Sequence, residues 1–215
     1  MKSNKAITIY LSLGALIIWF SIALQFAVSL TQLNNDFFNT LKLFLSYFTV
    51  TTNIIAGICF VSMLLVSRKP IGSFFARPAV FTAITIYILV VAIIYNFLLR
   101  GLVHPVGWAR IADELLHVVN PIIILTFWIM YVDKSNLSYK HAFNWLIYPL
   151  IYILFTAVIG VITKRYPYPF INVNDLGYPK ALLNAVFFLL LFYSLSIFMI
   201  WLGKRNGAIK AHIPR

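Results

Sequence analysis

Six long apolar stretches, separated by short polar segments, limit the folds open to this 215-residue chain more than any other feature. A helix needs about 20 mainly apolar residues to cross the hydrocarbon core of a bilayer. We therefore predict six transmembrane helices at residues 6–30, 41–66, 78–99, 111–131, 142–163 and 180–202. The segments between them are too short for a second domain. We expect one all-α transmembrane domain over residues 1–215, a polytopic membrane helix bundle.

The composition agrees with a membrane protein and argues against other classes. Hydrophobic residues make up 62% of the chain and charged residues 10%, against roughly 25% charged in soluble domains. The net charge of +12 comes from short clusters of Lys and Arg between apolar stretches, so we expect no nucleic-acid partner. The single cysteine, Cys59, excludes an intramolecular disulfide and a Cys-based metal cluster. We expect no metal and no cofactor.

The charges also predict the orientation in the membrane. The first apolar stretch is longer than the ~7–15-residue core of a cleaved signal peptide, so we interpret it as the first span. A small-residue pattern from Ala27 to Ser29 leaves cleavage open as an alternative. The larger share of Lys and Arg falls on the side that holds both termini, which predicts that both termini are cytoplasmic.

Polar residues in the second predicted span recur at helical spacing. Ser46, Thr49, Asn53 and Gly57 are three, four and four positions apart, so they are expected to share one helix face. Polar side chains inside a membrane need a partner, a cavity or a function. This face is therefore a candidate site.

The fourth predicted span carries a second polar face. Asp113, His117 and Asn120 are four and three positions apart, and His117 is the one histidine within a predicted span. If both spans start on the outer side, Thr49 lies ~12 Å deep and His117 ~9 Å deep, at ~1.5 Å per residue. If the two faces meet, the threonine hydroxyl and the imidazole come within hydrogen-bond reach.

Such a pair has a chemical meaning. A threonine hydroxyl attacks an ester only when a base takes its proton, and neutral imidazole is a suitable base. We assign Thr49 as candidate nucleophile and His117 as candidate base. Asp113 either orients the ring or lies at the membrane interface. Candidate donors to an oxyanion are Ser46, Asn53 and Asn120. The alternatives are a threonine bonded to its own backbone, a structural histidine, and asparagines that join helices.

The loop before the last span is rich in aromatic residues and proline. Its sequence is Tyr-Pro-Tyr-Pro-Phe at residues 166–170. The prolines restrict their own backbone and that of the residues before them, which makes the loop stiff. Tyr168 and Phe170 are candidates for capping a lipid-accessible cavity. The alternative is an aromatic belt at the membrane interface.

Three motifs resemble one known family. Residues 44–53 (FLSYFTVTTN), 114–121 (ELLHVVNP) and 168–170 (YPF) together resemble the androgen-induced-gene/ADTRP-like membrane proteins, most closely their bacterial branch. Animal members are multi-pass hydrolases of fatty acid esters of hydroxy fatty acids that use an intramembrane threonine and histidine. The resemblance implies Thr49 and His117 as those residues, with Thr51 and Thr52 as neighbouring alternatives for the nucleophile. It also implies a bacterial plasma membrane.

Two functional hypotheses follow. The first is a lipid-ester hydrolase with a threonine nucleophile, whose partners are membrane lipid and a lipid ester. The second is a non-enzymatic protein, either a transporter or a helix-packing partner. The chain has no GxSxG, Walker, HExxH or dinucleotide motif, so the active sites of common soluble enzymes are unsupported.

Overall fold

A computed structural model of the chain describes residues 5–65 and 69–211, with side chains described through residue 205. Every regular element in these residues is helical. The α-helices are α1 Lys5–Gln32, α2 Phe37–Ser46, α3 Phe48–Leu65, α4 Pro70–Phe75, α5 Pro78–Ile94, α6 Trp108–Glu114, α7 Asn120–Tyr131, α8 His141–Asn144, α9 Ile147–Thr163 and α10 Val173–Ala211. Two π-helical segments, Tyr95–Leu99 and Leu115–Val119, continue α5 and α6, and a 3-10 turn lies at Pro169–Ile171.

Six of the described helices are long and apolar enough to cross a membrane. They are Lys5–Gln32, Phe48–Leu65, Pro78–Leu99, Trp108–Tyr131, His141–Thr163 and Val173–Arg205. The predicted all-α polytopic membrane class is therefore confirmed. We number these helices as spans one to six. Both the cytoplasmic placement of the termini and the plasma membrane as location stay predictions.

The second predicted span differs from the expectation, because two helices replace one. Tyr47 has an extended backbone (φ −83°, ψ 130°) between α2 and α3. Its N–H bonds the Phe44 carbonyl and its own carbonyl accepts the Thr51 N–H, so it ends one helix and opens the next. The prediction that Ser46 shares a helix face with Thr49 is therefore wrong. Val66, the predicted end of this span, lies outside the described residues.

The chain divides into two compact units, Met1–Asp133 and Lys134–Arg215, and each is described by itself. The prediction of a single domain stays a prediction. In the first unit α1 packs against α3, α6, α7 and the π-helical segment Leu115–Val119. Spans one, two and four therefore lie side by side, and these are the spans that carry the candidate residues.

Aromatic side chains form the core of the first unit. The rings of Phe60, Phe81 and Phe127 have centroids 5.0–6.2 Å apart. The fully buried Trp128 donates its indole N–H to Thr82 Oγ1 at 2.8 Å, which joins spans four and three. Buried aromatic clusters of this kind contribute strongly to packing, and the indole N–H has the partner that a buried donor needs.

The second unit is built from α8, α9 and α10 and the aromatic loop. Gly177 has φ 72° inside α10, so it kinks the helix two residues before Pro179. A positive φ of this size favours glycine, which has no Cβ. The kink separates a short first segment, which begins at Val173, from the long part of α10. The aromatic loop packs against α10.

Candidate active site

A π-helical segment places the imidazole of span four. Leu115–Val119 contains His117, and Pro121 follows four residues after the histidine. Proline has no backbone N–H, so the His117 carbonyl lacks its usual helical donor. Asn96 of the third span supplies a donor instead, with its Nδ2 3.4 Å from that carbonyl. The proline thus removes one backbone hydrogen bond of the helix at the position of His117.

Asp113 holds the ring of His117 in one orientation. His117 Nδ1 lies 2.9 Å from the backbone carbonyl oxygen of Asp113 and 3.1 Å from its Oδ1. A carbonyl oxygen only accepts hydrogen bonds, so Nδ1 carries the proton in the neutral ring. Nε2 is then the basic nitrogen. A carboxylate that fixes this tautomer is the arrangement by which histidine bases are oriented in hydrolases.

Tyr95 of the third span completes this arrangement. Its ring stacks on the His117 ring with centroids 3.7 Å apart and an interplanar angle of 13°. Its hydroxyl donates to Asp113 Oδ2. The side chains of His117 and Asp113 are 12% and 15% exposed, and Tyr95 is buried. One tyrosine therefore restrains both the histidine and the carboxylate that orients it.

An ion pair lies beside this triad. Arg100 Nη1 and Nη2 donate to the two carboxylate oxygens of Glu114 at 2.7 and 2.8 Å. These hydrogen bonds are the main reason that the pKa of the Arg100 guanidinium lies above its usual value. The guanidinium carbon is 5.4 Å from the centre of the Tyr95 ring. The pair joins the residue after span three to span four, and it is partly exposed, so its contribution to stability is modest.

Three buried polar residues connect spans one, two and four. Asn120 Nδ2 donates to Asn53 Oδ1 at 2.8 Å and to Ser21 Oγ at 2.7 Å. Asn53 Nδ2 donates to the backbone carbonyl of Thr49 at 2.8 Å. Asn53, Asn120 and Ser21 have no exposed surface. The polar faces of the second and fourth spans therefore touch, at Asn53 and Asn120.

Thr49 lies in the first turn of α3, half-buried, and one turn before Asn53. At ~100° per residue it is ~40° from Asn53 around the helix, whereas Thr52 is ~100° and Thr51 ~160° away. The Thr51 hydroxyl lies 3.2–3.3 Å from the carbonyl oxygens of Phe48 and Tyr47, so it bonds its own backbone. Of the three threonines, Thr49 is the one that shares the face of Asn53.

The proposed oxyanion donors have other hydrogen bonds in this structure. Both amide hydrogens of Asn120 are engaged, and one hydrogen of Asn53 is engaged. Ser46 Oγ donates to the Leu43 carbonyl at 2.6 Å at the end of α2. The two asparagines fit the alternative role of joining helices, which is typical of amides inside membranes.

The proposed loop cap belongs to the second unit. The rings of Tyr168 and Phe170 are stacked with centroids 5.1 Å apart. The centroid of the Phe170 ring is 4.5 Å from that of Phe188 in α10. Asn184 Nδ2 donates to the Phe170 carbonyl at 2.8 Å, which fixes the loop on α10. Capping of a cavity by these two residues stays a prediction.

Sequence analysis missed Tyr95, Arg100 and Ser21. Tyr95 and Asn96 are polar residues near the end of an otherwise apolar span, and this was the available signal. Spacing along one helix shows which residues share its face, but it contains no information on which residue of another helix comes opposite. The contacts of Tyr95 with Asp113 and of Ser21 with Asn120 are of this second kind.

The arrangement offers an oriented base beside a helix that carries a threonine. Within residues 5–65 and 69–211, no three His, Cys, Asp or Glu side chains are grouped as ligands of a metal ion. The chemistry that the described side chains support by themselves is proton transfer to and from His117. No protein-family model, curated protein sequence or solved structure matches the chain, so the geometry described above is what bears on its function.

Proposed function

We propose that the protein is a membrane-embedded lipid-ester hydrolase of the fatty acid ester of hydroxy fatty acid type, with Thr49 as nucleophile and His117 as base. The observation that carries the proposal is the restraint of His117 by Asp113 and Tyr95 inside a membrane span. A purely structural histidine needs a hydrogen-bond partner. It does not need both a carboxylate on Nδ1 and a tyrosine that holds this carboxylate.

The proximity of Thr49 and His117 is supported by the hydrogen bond between Asn53 and Asn120. One span, the third, lies between spans two and four in the chain. Spans two and four therefore run in the same direction through the membrane. Thr49 precedes Asn53 by one turn and His117 precedes Asn120 by about one turn, so both lie on the same side of this bond. In addition, α3 packs against Leu115–Val119, the segment that contains His117.

The proposed reaction has two halves. Thr49 Oγ1 attacks the ester carbonyl carbon and its proton passes to His117 Nε2. The tetrahedral intermediate then collapses, the ester C–O bond breaks, and Nε2 gives the proton to the leaving alkoxide, which departs as an alcohol. A water molecule attacks the acyl-threonine with His117 again as base, which releases the fatty acid and restores the hydroxyl.

A lipid ester is the substrate class that suits this location. Thr49 and His117 lie on spans whose surroundings are apolar, and an acyl chain enters such surroundings from the bilayer without loss of hydration. The resemblance of residues 44–53 and 114–121 to the hydrolase family supports the same substrate class. The stacked Tyr95 ring shields one face of the imidazole, and exclusion of water strengthens interactions at a reacting centre.

The test is labelling of the detergent-purified protein by a fluorophosphonate probe, with the labelled residue mapped by mass spectrometry. We expect labelling at Thr49, loss of labelling in Thr49→Ala and His117→Ala, and partial retention in Thr49→Ser, which keeps a hydroxyl. Thr51→Ala is the matched control, because it removes a neighbouring threonine whose hydroxyl bonds its own backbone. It should label like the wild type.

Folding of each variant is checked by size-exclusion chromatography and thermal melting. Labelled wild type and unlabelled, folded Thr49→Ala justify a screen of lipid esters. A folded wild type that does not label even with a small fluorophosphonate, or a Thr49→Ala variant that labels equally, removes the mechanism. The Ser21, Asn53 and Asn120 cluster would then support the non-enzymatic alternative of helix packing.

A further inference from the structure

The second unit contains an apolar cavity between α9, the first half of α10 and the aromatic loop. Its volume is about 160 Å³, and its wall is almost entirely apolar. Along α9 it extends from Ile153 to Val161, which corresponds to ~12 Å of helix. It is partly open rather than closed. A cavity that follows about two turns of a helix suits a chain-like ligand better than a compact one.

The sequence creates the cavity through small residues at helical spacing. Ala181 and Ala185 are buried, four positions apart on one face of α10, and both line the cavity. On the opposite side, Gly160 allows the Tyr166 ring to lie directly on α9, where a Cβ would overlap the ring. Larger side chains at these positions would fill the space. The void is therefore a product of specific residues.

The size and polarity of the cavity limit what it can hold. An engineered apolar protein cavity of about 150 Å³ stays dry and binds benzene. A similar volume accommodates a segment of one hydrocarbon chain but not two chains side by side. Thr156 is a polar residue of the wall, and its hydroxyl is satisfied by the Tyr152 carbonyl at 2.6 Å. Apolar contact is what the wall offers.

Positive charges flank this cavity. Lys164 and Arg165 lie between the lining residues Val161 and Tyr166, and Lys180 adjoins the lining residue Ala181. All three are exposed, and none has an ion pair with a described residue. The one acid of the chain after residue 133 is Asp175, which accepts a hydrogen bond from Asn172 Nδ2. An apolar slot beside three cations is complementary to an anion with a hydrocarbon tail.

We propose that this cavity binds a fatty acid in its carboxylate form, with the hydrocarbon chain in the slot and the carboxylate among Lys164, Arg165 and Lys180. A single-chain amphiphile matches a slot with room for one chain. Lys164 ends α9 with a backbone in the left-handed region, and its carbonyl accepts a hydrogen bond from Asn174 Nδ2 at 2.9 Å. These two features hold Lys164 and Arg165 at the end of α9. The proposal does not depend on the hydrolase activity.

The experiment is photo-crosslinking of the full-length purified protein with a palmitic acid analogue that carries a diazirine on its chain. Labelled peptides should come from α9 and from residues 173–185. Ala181→Phe fills the slot and should reduce this labelling at least about tenfold, because overpacked sites do not readily make room. Leu183→Phe is the matched control, since Leu183 is exposed on the same helix and does not line the cavity. It should label like the wild type.

Unchanged labelling in folded Ala181→Phe, or the lack of any labelled peptide from α9 and residues 173–185, would overturn the proposal. If Ala181→Phe does not fold, Ala157→Phe gives the same test from the exposed side of the cavity. Competition tests the headgroup. Unlabelled palmitic acid should compete at least about tenfold better than the alcohol of the same length, the ratio expected of a charge-assisted contact. Equal competition by the alcohol overturns the carboxylate site, and equal competition by phosphatidylglycerol overturns the single-chain ligand.

Discussion

Replacement of Tyr95 by phenylalanine gives the sharpest test of the proposed active site. The change removes the hydroxyl that donates to Asp113 Oδ2 and keeps the ring that stacks on His117. A hydrogen bond to a charged group contributes roughly 1.5–3 kcal/mol. If this bond is used when the imidazole becomes charged in the transition state, its loss slows the reaction by about 10–100-fold, at 1.4 kcal/mol per tenfold.

The assay is the second-order rate constant of fluorophosphonate labelling at Thr49. Tyr10→Phe is the matched control, because it also removes one tyrosine hydroxyl with a hydrogen bond inside the first unit, to the Ile123 carbonyl at 2.9 Å. We expect Tyr10→Phe to keep the wild-type rate. Asp113→Asn should be slower than Tyr95→Phe, since an amide in place of the orienting carboxylate costs ~10⁴ in rate in the Ser-His-Asp template.

The order of the rates is what distinguishes orientation from general destabilisation. Thermal melting should show that both variants fold, with a somewhat larger loss for Tyr95→Phe, because its hydroxyl bonds a carboxylate and that of Tyr10 bonds a neutral carbonyl. A Tyr95→Phe variant that labels as fast as the wild type, while His117→Ala does not label, would refute the orienting role of Tyr95. His117 would then act without the restraint that the geometry suggests.

Three further substitutions test the packing. Asn120→Leu removes two interhelical hydrogen bonds. At ~0.6 kcal/mol for each bond inside a membrane, the free energy of unfolding should fall by about 1 kcal/mol, measured in mixed detergent micelles. An unchanged free energy of unfolding would contradict a packing role. Glu114→Gln should lower the free energy of unfolding by less than ~1 kcal/mol, because the ion pair of Glu114 with Arg100 is partly exposed. A larger decrease in the same unfolding assay would mean that the ion pair is desolvated. Gly160→Leu should displace the Tyr166 ring and lower the melting temperature. Gly101→Ala is the control, because a Cβ at Gly101 meets no atom within 4 Å, and it should lower the melting temperature less. Equal melting temperatures would show that the Tyr166 ring can move freely.

The spans could be predicted because long apolar stretches have few alternatives. The predicted third span, 78–99, has the bounds of the observed Pro78–Leu99, and the predicted fourth span, 111–131, ends where Trp108–Tyr131 ends. The break at Tyr47 could not be predicted, because the residues around it include no proline or glycine, the residues that usually mark the end of a helix. The predicted start of the sixth span, residue 180, falls just after the non-helical Gly177, which separates a short segment beginning at Val173 from the long part of α10.

The candidate site was partly predictable for a similar reason. Asp113 and His117 are four positions apart, and this spacing places them in contact on any helix. The hydrogen bond between Asn53 and Asn120 confirms that the two polar faces meet, which spacing alone left open. Tyr95 comes from another span, so its contact depends on how the helices pack. The roles of Thr49 and His117 in catalysis stay predictions.

The π-helical segment Leu115–Val119 lets span four hold one residue more than an ordinary helix. Its wider turn takes up about one extra residue, so the helical parts before and after it keep nearly the phase that they would have without that residue. Deletion of Val118 would let an ordinary helix close, with Asp113 and Asn120 close to their present directions. The same deletion in an α-helical part of the span would rotate everything after it by ~100°. A one-residue deletion should therefore be far less damaging within this segment than elsewhere in the span, and its effect should be confined to the residues of that turn, His117 among them.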